Sequence, residues 1–214
     1  MATMVVTISA PFGAGGSVIG PAVADRLGIP FVDRAIPAAV AKDLAVPLDR
    51  ALAHDQRLPT GIVRILSKMA NSMVPYGTSP IAATADTDEE DVFRAGTEKV
   101  IHHVADQTGG VILGRAAALV LANHPSALHV RLHGPKEARL ARAVGREGIT
   151  SETASKLMDD TDRARVAYVK HFYRCDPYDS RLYHLVIDTS VLPDGVCVDL
   201  ITTAARVRAG AAQA

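Results

Sequence analysis

The chain has 214 residues, 48% of them hydrophobic, and its formal net charge at pH 7 is zero. This length suits one domain or a core domain with an inserted lobe, and the apolar content excludes a disordered chain. The zero charge, the absence of an 18-residue apolar run and the absence of a signal-peptide pattern lead us to expect no nucleic-acid partner, no membrane partner and a cytoplasmic location.

The first segment with a chemical signal is a strand, a glycine-rich loop and a helix. A β-branched apolar run from Val5 to Ile8 predicts a buried parallel strand. A helix is predicted from Ser17 to Leu27, with Ser17 as its N-cap and Gly28 just past its end. Between them lies a loop that contains Gly13, Ala14, Gly15 and Gly16. This arrangement points backbone N–H groups and a helix N-terminus at a phosphate.

The loop departs from the phosphate-binding motif G-x-x-x-x-G-K-[ST] at two positions. Ala10 stands for the first glycine and Gly16 for the lysine, so the loop lacks its usual cation. Two alternatives stay open. One is a tight turn without a ligand. The other is a dinucleotide-binding loop, which would need glycine at Val18 but would use an acid near Asp33 for the ribose.

The segment after the loop predicts one more strand and then a long helical insert. Ile29 to Val32 is a short strand, which completes a βαβ unit. Residues 35–107 show no strand pattern, and we predict a helical substrate-binding lobe there. Within it, Val74 to Asp86 is predicted to be a mobile loop, and a capping box at Thr87 opens a helix to about Gln107. Two more helical runs are predicted in the lobe: Ala38–Ala45 and Gly61–Met69.

The remainder predicts an α/β fold of P-loop type, a five-stranded parallel sheet with helices on both faces. Its core is residues 1–34 and 108–214. The three later strands are predicted at Gly110–Leu113, Leu128–Leu132 and Tyr183–Ile187. Three helices are predicted: one from Pro135, in the first helical position, to Gly148, one from Glu152 to Arg174, and one from about Gly195 to Val207.

Charged residues follow several predicted strands, at the sheet edge where ligands of α/β folds gather. These strand ends carry Ser9, Asp33 with Arg34, Gly114 with Arg115, and Asp188 with Thr189. Residues 135–174 add nine basic and six acidic side chains, a composition that suits an arginine-lined lid over a triphosphate. Together they indicate a phosphate and metal site.

The order of these motifs resembles the nucleoside monophosphate kinases, and most closely the sequences called cytidylate kinase-like. The resemblance spans roughly Val5 to Leu200. Those sequences typically have a strand, Ser, Arg, two residues, Gly-Ser-Gly-Gly and then Ile-Gly. The corresponding residues here are Ser9-Ala10-Pro11-Phe12-Gly13-Ala14-Gly15-Gly16 with Ile19-Gly20. The missing lysine is therefore similar to the family's own pattern.

The resemblance implies roles for individual residues, with ATP and Mg²⁺ as cofactors. The donor phosphates would lie on Gly13, Ala14, Gly15, Gly16, Ser17 and Val18, with the Ser17 hydroxyl on the metal. The acceptor would be held by Asp33, Arg34 and Arg115. The catalytic residues would be Arg139, Arg142, Asp162 and Arg165. The chain departs from the family at Ala10 (usually Arg), at Ala116 (usually a base-reading Asp) and at Met158 (expected Arg).

Three hypotheses follow. The leading one is an ATP-dependent nucleoside monophosphate kinase, with CMP or dCMP as acceptor and small-molecule nucleotides as its partners. The second is a catalytically weak or inactive nucleotide-binding or regulatory protein of the same fold, which the residues at 10, 16, 116 and 158 favour. The third is an NAD(P)-dependent oxidoreductase. The acceptor base and the oligomeric state stay open.

Overall fold

The predicted parallel sheet is present in a computed structural model that describes residues 3–32 and 86–212. Its strands are β1 (Val5–Ser9), β2 (Phe31–Val32), β3 (Gly110–Leu113), β4 (Ala127–His133) and β5 (Leu185–Asp188). All pairings are parallel, in the order β2-β3-β1-β4-β5. The predicted fold class is therefore confirmed, with β2 and β5 shorter than their sequence patterns indicated.

The strand order also decides between the two nucleotide folds. β1 pairs with β3 on one side and with β4 on the other, and β2 lies outside β3. In the dinucleotide fold the second strand is next to the first. The oxidoreductase hypothesis is wrong on this ground, because β3 lies between β1 and β2 here.

The described ranges contain six helices: five lie where the sequence patterns predicted them, with small shifts at their ends, and the short helix after β3 was not predicted. They are α1 (Gly16–Leu27), α2 (Asp86–His103), α3 (Ala117–Val120), α4 (Lys136–Glu147), α5 (Ser151–Tyr173) and α6 (Asp194–Ala211). A π-helical turn, Val104–Thr108, extends α2, and a 3₁₀ turn, Ser180–Leu182, precedes β5.

Two of the predicted helix starts are wrong by one or two residues. Gly15, with φ of 84°, precedes α1, and Ser17 lies inside its first turn without capping it. The left-handed backbone at this junction requires glycine, which explains why no side-chain cap is used. Pro135 precedes α4 with an extended ψ of 146°, so it lies just outside the helix that it was expected to begin.

The core lies on both faces of the sheet because successive side chains of a strand point to opposite sides. Val6 and Ile8 pack on the face covered by α1 and α6, in one cluster with Ile19 and Ile201. Val5 lies on the other face with residues of α2 and α3. β1 is thus buried on both sides, which holds its carboxyl end, the start of the glycine loop, firmly in place.

Several predictions lie outside the described residues. These are the acceptor residues Asp33 and Arg34, the two insert helices predicted before position 70, and the loop Val74 to Asp86 except for Asp86, which begins α2. The two-part domain division stays a prediction for the same reason. Within the described ranges, no helix combines the length and the apolarity needed to cross a membrane.

Candidate functional site

The glycine loop has the backbone geometry of an anion-binding turn. Gly13 and Gly15 have φ of 75° and 84°, conformations that favour glycine. The Ala14 N–H donates to the Pro11 carbonyl oxygen at 3.1 Å, which tightens the turn. The N–H groups of Gly13, Gly15 and Gly16 donate to no other described residue. Unbonded N–H groups at the start of a helix are suited to phosphate oxygens, so the residues fit a nucleotide phosphate.

Thr189, which follows β5, connects this edge strand of the sheet to the glycine loop. Its hydroxyl lies 3.1 Å from the carbonyl oxygens of both Ala14 and His133, and the residue is buried. Asp188, expected beside it at a phosphate or metal site, instead accepts hydrogen bonds from the Ser190 N–H at 2.9 Å and hydroxyl at 2.6 Å. Thr189 thus positions the loop, while the Asp188 carboxylate is engaged in a local turn.

The structure explains why position 16 carries no lysine. A Cβ built on Gly16 would lie 2.8 Å from the Ala10 Cβ and 3.0 Å from Leu113 Cδ1. The backbone at Gly16 does not have a positive φ, so the obstacle is crowding and not conformation. Ala10 and Gly16, the two departures from the phosphate-loop motif, are therefore neighbours. The Ala10 methyl group occupies space that a side chain at position 16 would need.

Arginines of α4 and α5 reach the loop and are held there by one carboxylate. Arg139 Nη1 donates to Asp162 Oδ2 at 2.7 Å and to the Phe12 carbonyl oxygen at 2.6 Å. Arg165 Nη1 donates to the Ala10 carbonyl oxygen at 2.7 Å and to Asp162 Oδ1 at 3.4 Å. All three side chains are less than a fifth exposed. The predicted grouping of Arg139, Asp162 and Arg165 is present, with the two guanidiniums engaged by the loop and by Asp162.

Arg142 lies on α4, as Arg139 does, and also approaches the loop, but its ion-pair partner is a different carboxylate. Its Nη1 would lie 2.9 Å from a Cβ on Gly15, so the guanidinium lies against the helix start. Arg142 and Arg146 both pair with Asp194, in the first turn of α6. Asp194 was not among the residues predicted to belong to the site. An acid directly after a proline at a helix start was a visible signal, but its arginine partners come from a helix about fifty residues away.

A cavity of about 80 Å³ opens beside the loop, at the ends of β1 and β3. Arg115 and Arg165 line it, together with Ser9, Thr97, Tyr168 and mostly apolar residues. The Nε and Nη2 atoms of Arg165 are buried and bond to no described residue, which leaves two donors for a ligand.

The Arg115 backbone is placed in this cavity by an unusual turn. Gly114, Arg115 and Ala116 have φ of 79°, 55° and 53°, three successive left-handed residues. A left-handed conformation costs a non-glycine residue about 1–2 kcal/mol. The family resemblance pointed to Arg115, but no propensity rule predicts two strained residues in a row, and such strain is typical of functional sites.

Met158, where the resemblance leads one to expect arginine, is 1% exposed and belongs to the core. The Ser17 side chain, predicted to touch Mg²⁺, is exposed at the start of α1. The described residues contain no group of three or more His, Cys, Asp or Glu side chains that could hold a metal ion. Protein ligation of Mg²⁺ by described residues would therefore rest on at most one or two side chains, as is usual when the metal binds mainly through phosphates and water.

Comparison with known proteins agrees with this arrangement. The chain is 23% identical over 194 residues to a cytidylate kinase of Natronomonas pharaonis, covering 90% of this chain and 85% of that one. It is 37% identical over 95 residues to a cytidylate kinase of Methanopyrus kandleri, covering 40% of this chain and 49% of that one. A third relative is a uronate isomerase of Corynebacterium glutamicum, 32% identical over 108 residues, with a match that covers 50% of this chain and 20% of that one. The chain thus spans between 20% and 85% of the length of these three relatives.

Among solved structures, an uncharacterised protein from Eubacterium ventriosum has the same fold, with a TM-score of 0.67 and 18% identity. The match covers 95% of this chain and 99% of that one. The model of the cytidylate kinase-like family matches residues 5–191, from β1 to the turn after β5. This range contains the glycine loop, the Arg115 turn and the helix pair α4–α5. The chain therefore belongs to the cytidylate kinase-like family.

Proposed function

We propose that this chain transfers the terminal phosphoryl group of ATP to a nucleoside monophosphate of the CMP or dCMP type. The observation that carries the proposal is the adjacency of two sites that share Arg165. Its Nη1 donates to the Ala10 carbonyl oxygen at the glycine loop, and the same side chain lines the cavity that Arg115 also lines. The Nε and Nη2 atoms of Arg165 are buried and bond to no described residue. A guanidinium between a donor site and an acceptor site is where charge on a transferred phosphoryl group has to be neutralised.

The chain's own residues would mainly position the two nucleotides and neutralise their charge, since phosphoryl transfer needs little covalent chemistry from the protein. The loop N–H groups of Gly13, Gly15 and Gly16 would hold the donor phosphates. Arg115 would hold the acceptor phosphate from the end of β3, where a planar fork suits bidentate contacts. Bound Mg²⁺ would supply further positive charge on the donor phosphates, with the Ser17 hydroxyl as its candidate protein contact.

The second candidate is a nucleotide-binding or regulatory protein of the same fold without turnover. Two observations favour it: Arg139 and Arg165, which both hydrogen-bond to the loop, are paired with Asp162, and Gly16 leaves no room for a lysine. Under this hypothesis ATP binds and no acceptor is phosphorylated. A turnover measurement therefore separates the two candidates.

The first prediction is that Arg165→Ala abolishes turnover. Arginines that contact such transition states contribute about 10³–10⁵ in rate, so the variant should lose at least about 10³-fold relative to the wild-type protein. The measurement is ADP formation from ATP with CMP, dCMP, UMP, AMP and GMP as acceptors.

The control is Arg163→Ala, on the same helix two residues away. Arg163 is 70% exposed, and its ion pair is to Asp160 at 3.8 Å, on α5 itself. It should retain wild-type turnover. Equal background hydrolysis by the wild-type protein and Arg165→Ala, with every acceptor, would contradict the kinase function and favour the second candidate.

A further inference from the structure

The Asp162 carboxylate lies in an environment that resembles a phosphate site. Its Oδ1 accepts a hydrogen bond from the Phe12 N–H, a loop amide, at 2.8 Å. The same carboxylate pairs with Arg139 at 2.7 Å and with Arg165 at 3.4 Å. Its side chain is 16% exposed. An oxyanion that receives a loop N–H and lies between two guanidiniums has the partners that a nucleotide phosphate oxygen seeks.

A neighbouring ion pair shows that the contact of Asp162 with Arg139 does more than join two helices. Lys136 and Asp159 also join α4 to α5, at 2.6 Å, but both side chains are about half exposed and neither contacts the loop. Asp162 makes the corresponding contact three residues further along α5 and reaches into the loop. The difference between the two acids is therefore the position of the carboxylate relative to the phosphate-binding backbone.

We propose that Asp162 is an internal competitor for the donor phosphates: in the ligand-free protein its carboxylate holds the Phe12 N–H, at the edge of the unbonded glycine N–H groups, together with Arg139 and Arg165, and a bound triphosphate takes these three donors from it. The proposal rests on the proposed function only in treating the loop as a phosphate site. Displacement would free Arg139 and Arg165 to turn from the carboxylate to the phosphates. The protein would therefore hold Arg139 and Arg165 in place before the triphosphate binds, and its affinity for the triphosphate would be lower as a result.

The test measures binding of inorganic tripolyphosphate to the full chain by calorimetry. Tripolyphosphate has the phosphates of ATP without the base, so acceptor chemistry does not enter. We expect Asp162→Asn to bind it about tenfold more tightly than the wild-type protein, because a charged hydrogen-bond partner of this kind is worth enough to change affinity by that factor or more. Asp159→Asn, the matched control on the same helix pair, should bind as the wild-type protein does.

A second measurement uses the wild-type protein and does not depend on a variant's folding. Tripolyphosphate should shift the NMR resonances of the Phe12 amide and of the Asp162 carboxyl carbon together, at the concentrations that saturate binding. An Asp162 carboxyl resonance that stays unchanged at saturation would overturn the proposal.

The outcomes separate this inference from the kinase function. Equal or weaker binding by Asp162→Asn would overturn the inference and leave the kinase function standing. Tighter binding without turnover of any acceptor would support the inference and contradict the kinase function. Absence of tripolyphosphate binding by both proteins would overturn the inference, whereas the kinase function is decided by turnover with ATP.

Discussion

At the scale of single residues, the two departures of the glycine loop from the usual motif, Ala10 and Gly16, are related by packing. The usual motif has glycine first and lysine later, and here a methyl group is present at the first position and absent at the second. The 2.8 Å separation between the Ala10 Cβ and a Cβ built on Gly16 makes these two departures a single packing change. The absence of a lysine at position 16 is thus coupled to the alanine at position 10, although the sequence motif gives no sign that the two positions are in contact.

We predict that Gly16→Lys destabilises the protein by about 1–3 kcal/mol, the usual cost of overpacking. The double variant Ala10→Gly with Gly16→Lys should recover much of that loss, because removal of the Ala10 methyl group relieves the closer contact. Urea unfolding of the wild-type, single and double variants measures both effects. Additive destabilisation in the double variant would show that the two positions are not coupled.

At the scale of elements, the loop depends on the end of β5. Thr189 is 6% exposed, and its hydroxyl reaches the carbonyl oxygen of Ala14 across about 175 residues of chain. The Ala14 carbonyl accepts from no other donor among the described residues, so the Thr189 hydroxyl is what satisfies it. This contact transmits the rigidity of the sheet to the loop.

Thr189→Val should therefore destabilise the protein by about 1–2 kcal/mol, since it leaves a buried carbonyl without its donor while it preserves the side-chain shape. Thr202→Val is the matched control. Thr202 is equally buried, but its hydroxyl bonds to the Val198 and Asp199 carbonyls of its own helix. Because neighbouring helix N–H groups also serve such carbonyls, the control should lose less stability. Urea midpoints at constant slope measure the difference; equal losses would contradict the proposed role of Thr189.

At the scale of the whole molecule, two histidines make folding sensitive to pH. His129 of β4 is 3% exposed, its Nδ1 lies 2.8 Å from the Thr7 hydroxyl, and its ring stacks on His184 at 4.8 Å. Burial, reinforced by the charges of His184, Arg208 and His124, lowers the pKa of His129 to about 4. Burial and then Arg208 also lower the pKa of His184.

Because the folded pKa of His129 is lowered, the unfolded chain binds the proton first as the pH falls. The stabilisation is complete above about pH 6.5 and is lost progressively towards pH 4. The shift from 6.5 to about 4 corresponds to about 3–4 kcal/mol. Urea unfolding at several pH values measures this slope. His129→Gln should flatten it between pH 6.5 and 4.5, whereas His102→Gln, at an exposed position of α2, should leave it unchanged. An unaltered slope in His129→Gln would contradict the assignment.

Most of the fold could be predicted from the sequence because strands and helices follow local periodicity. The run Val5 to Ile8, the glycine loop and the segment Gly110 to Leu113 each carry their own signal. The sheet order follows once the family is identified. The errors lie at element ends, as with Ser17 and Pro135, where one residue's backbone conformation decides the boundary.

The sequence by itself thus determined the parallel α/β architecture, the loop at the end of β1 and the arginine-rich helix pair, since these depend on neighbours in the chain. Only the tertiary structure decided which carboxylate each arginine meets, that Asp162 reaches the Phe12 amide, and that Ala10 and Gly16 compete for one volume. The physical reason is distance along the chain. Residues 12, 139 and 162 share no local pattern, and only the packing of α4 against α5 beside the glycine loop brings their polar atoms within hydrogen-bonding distance.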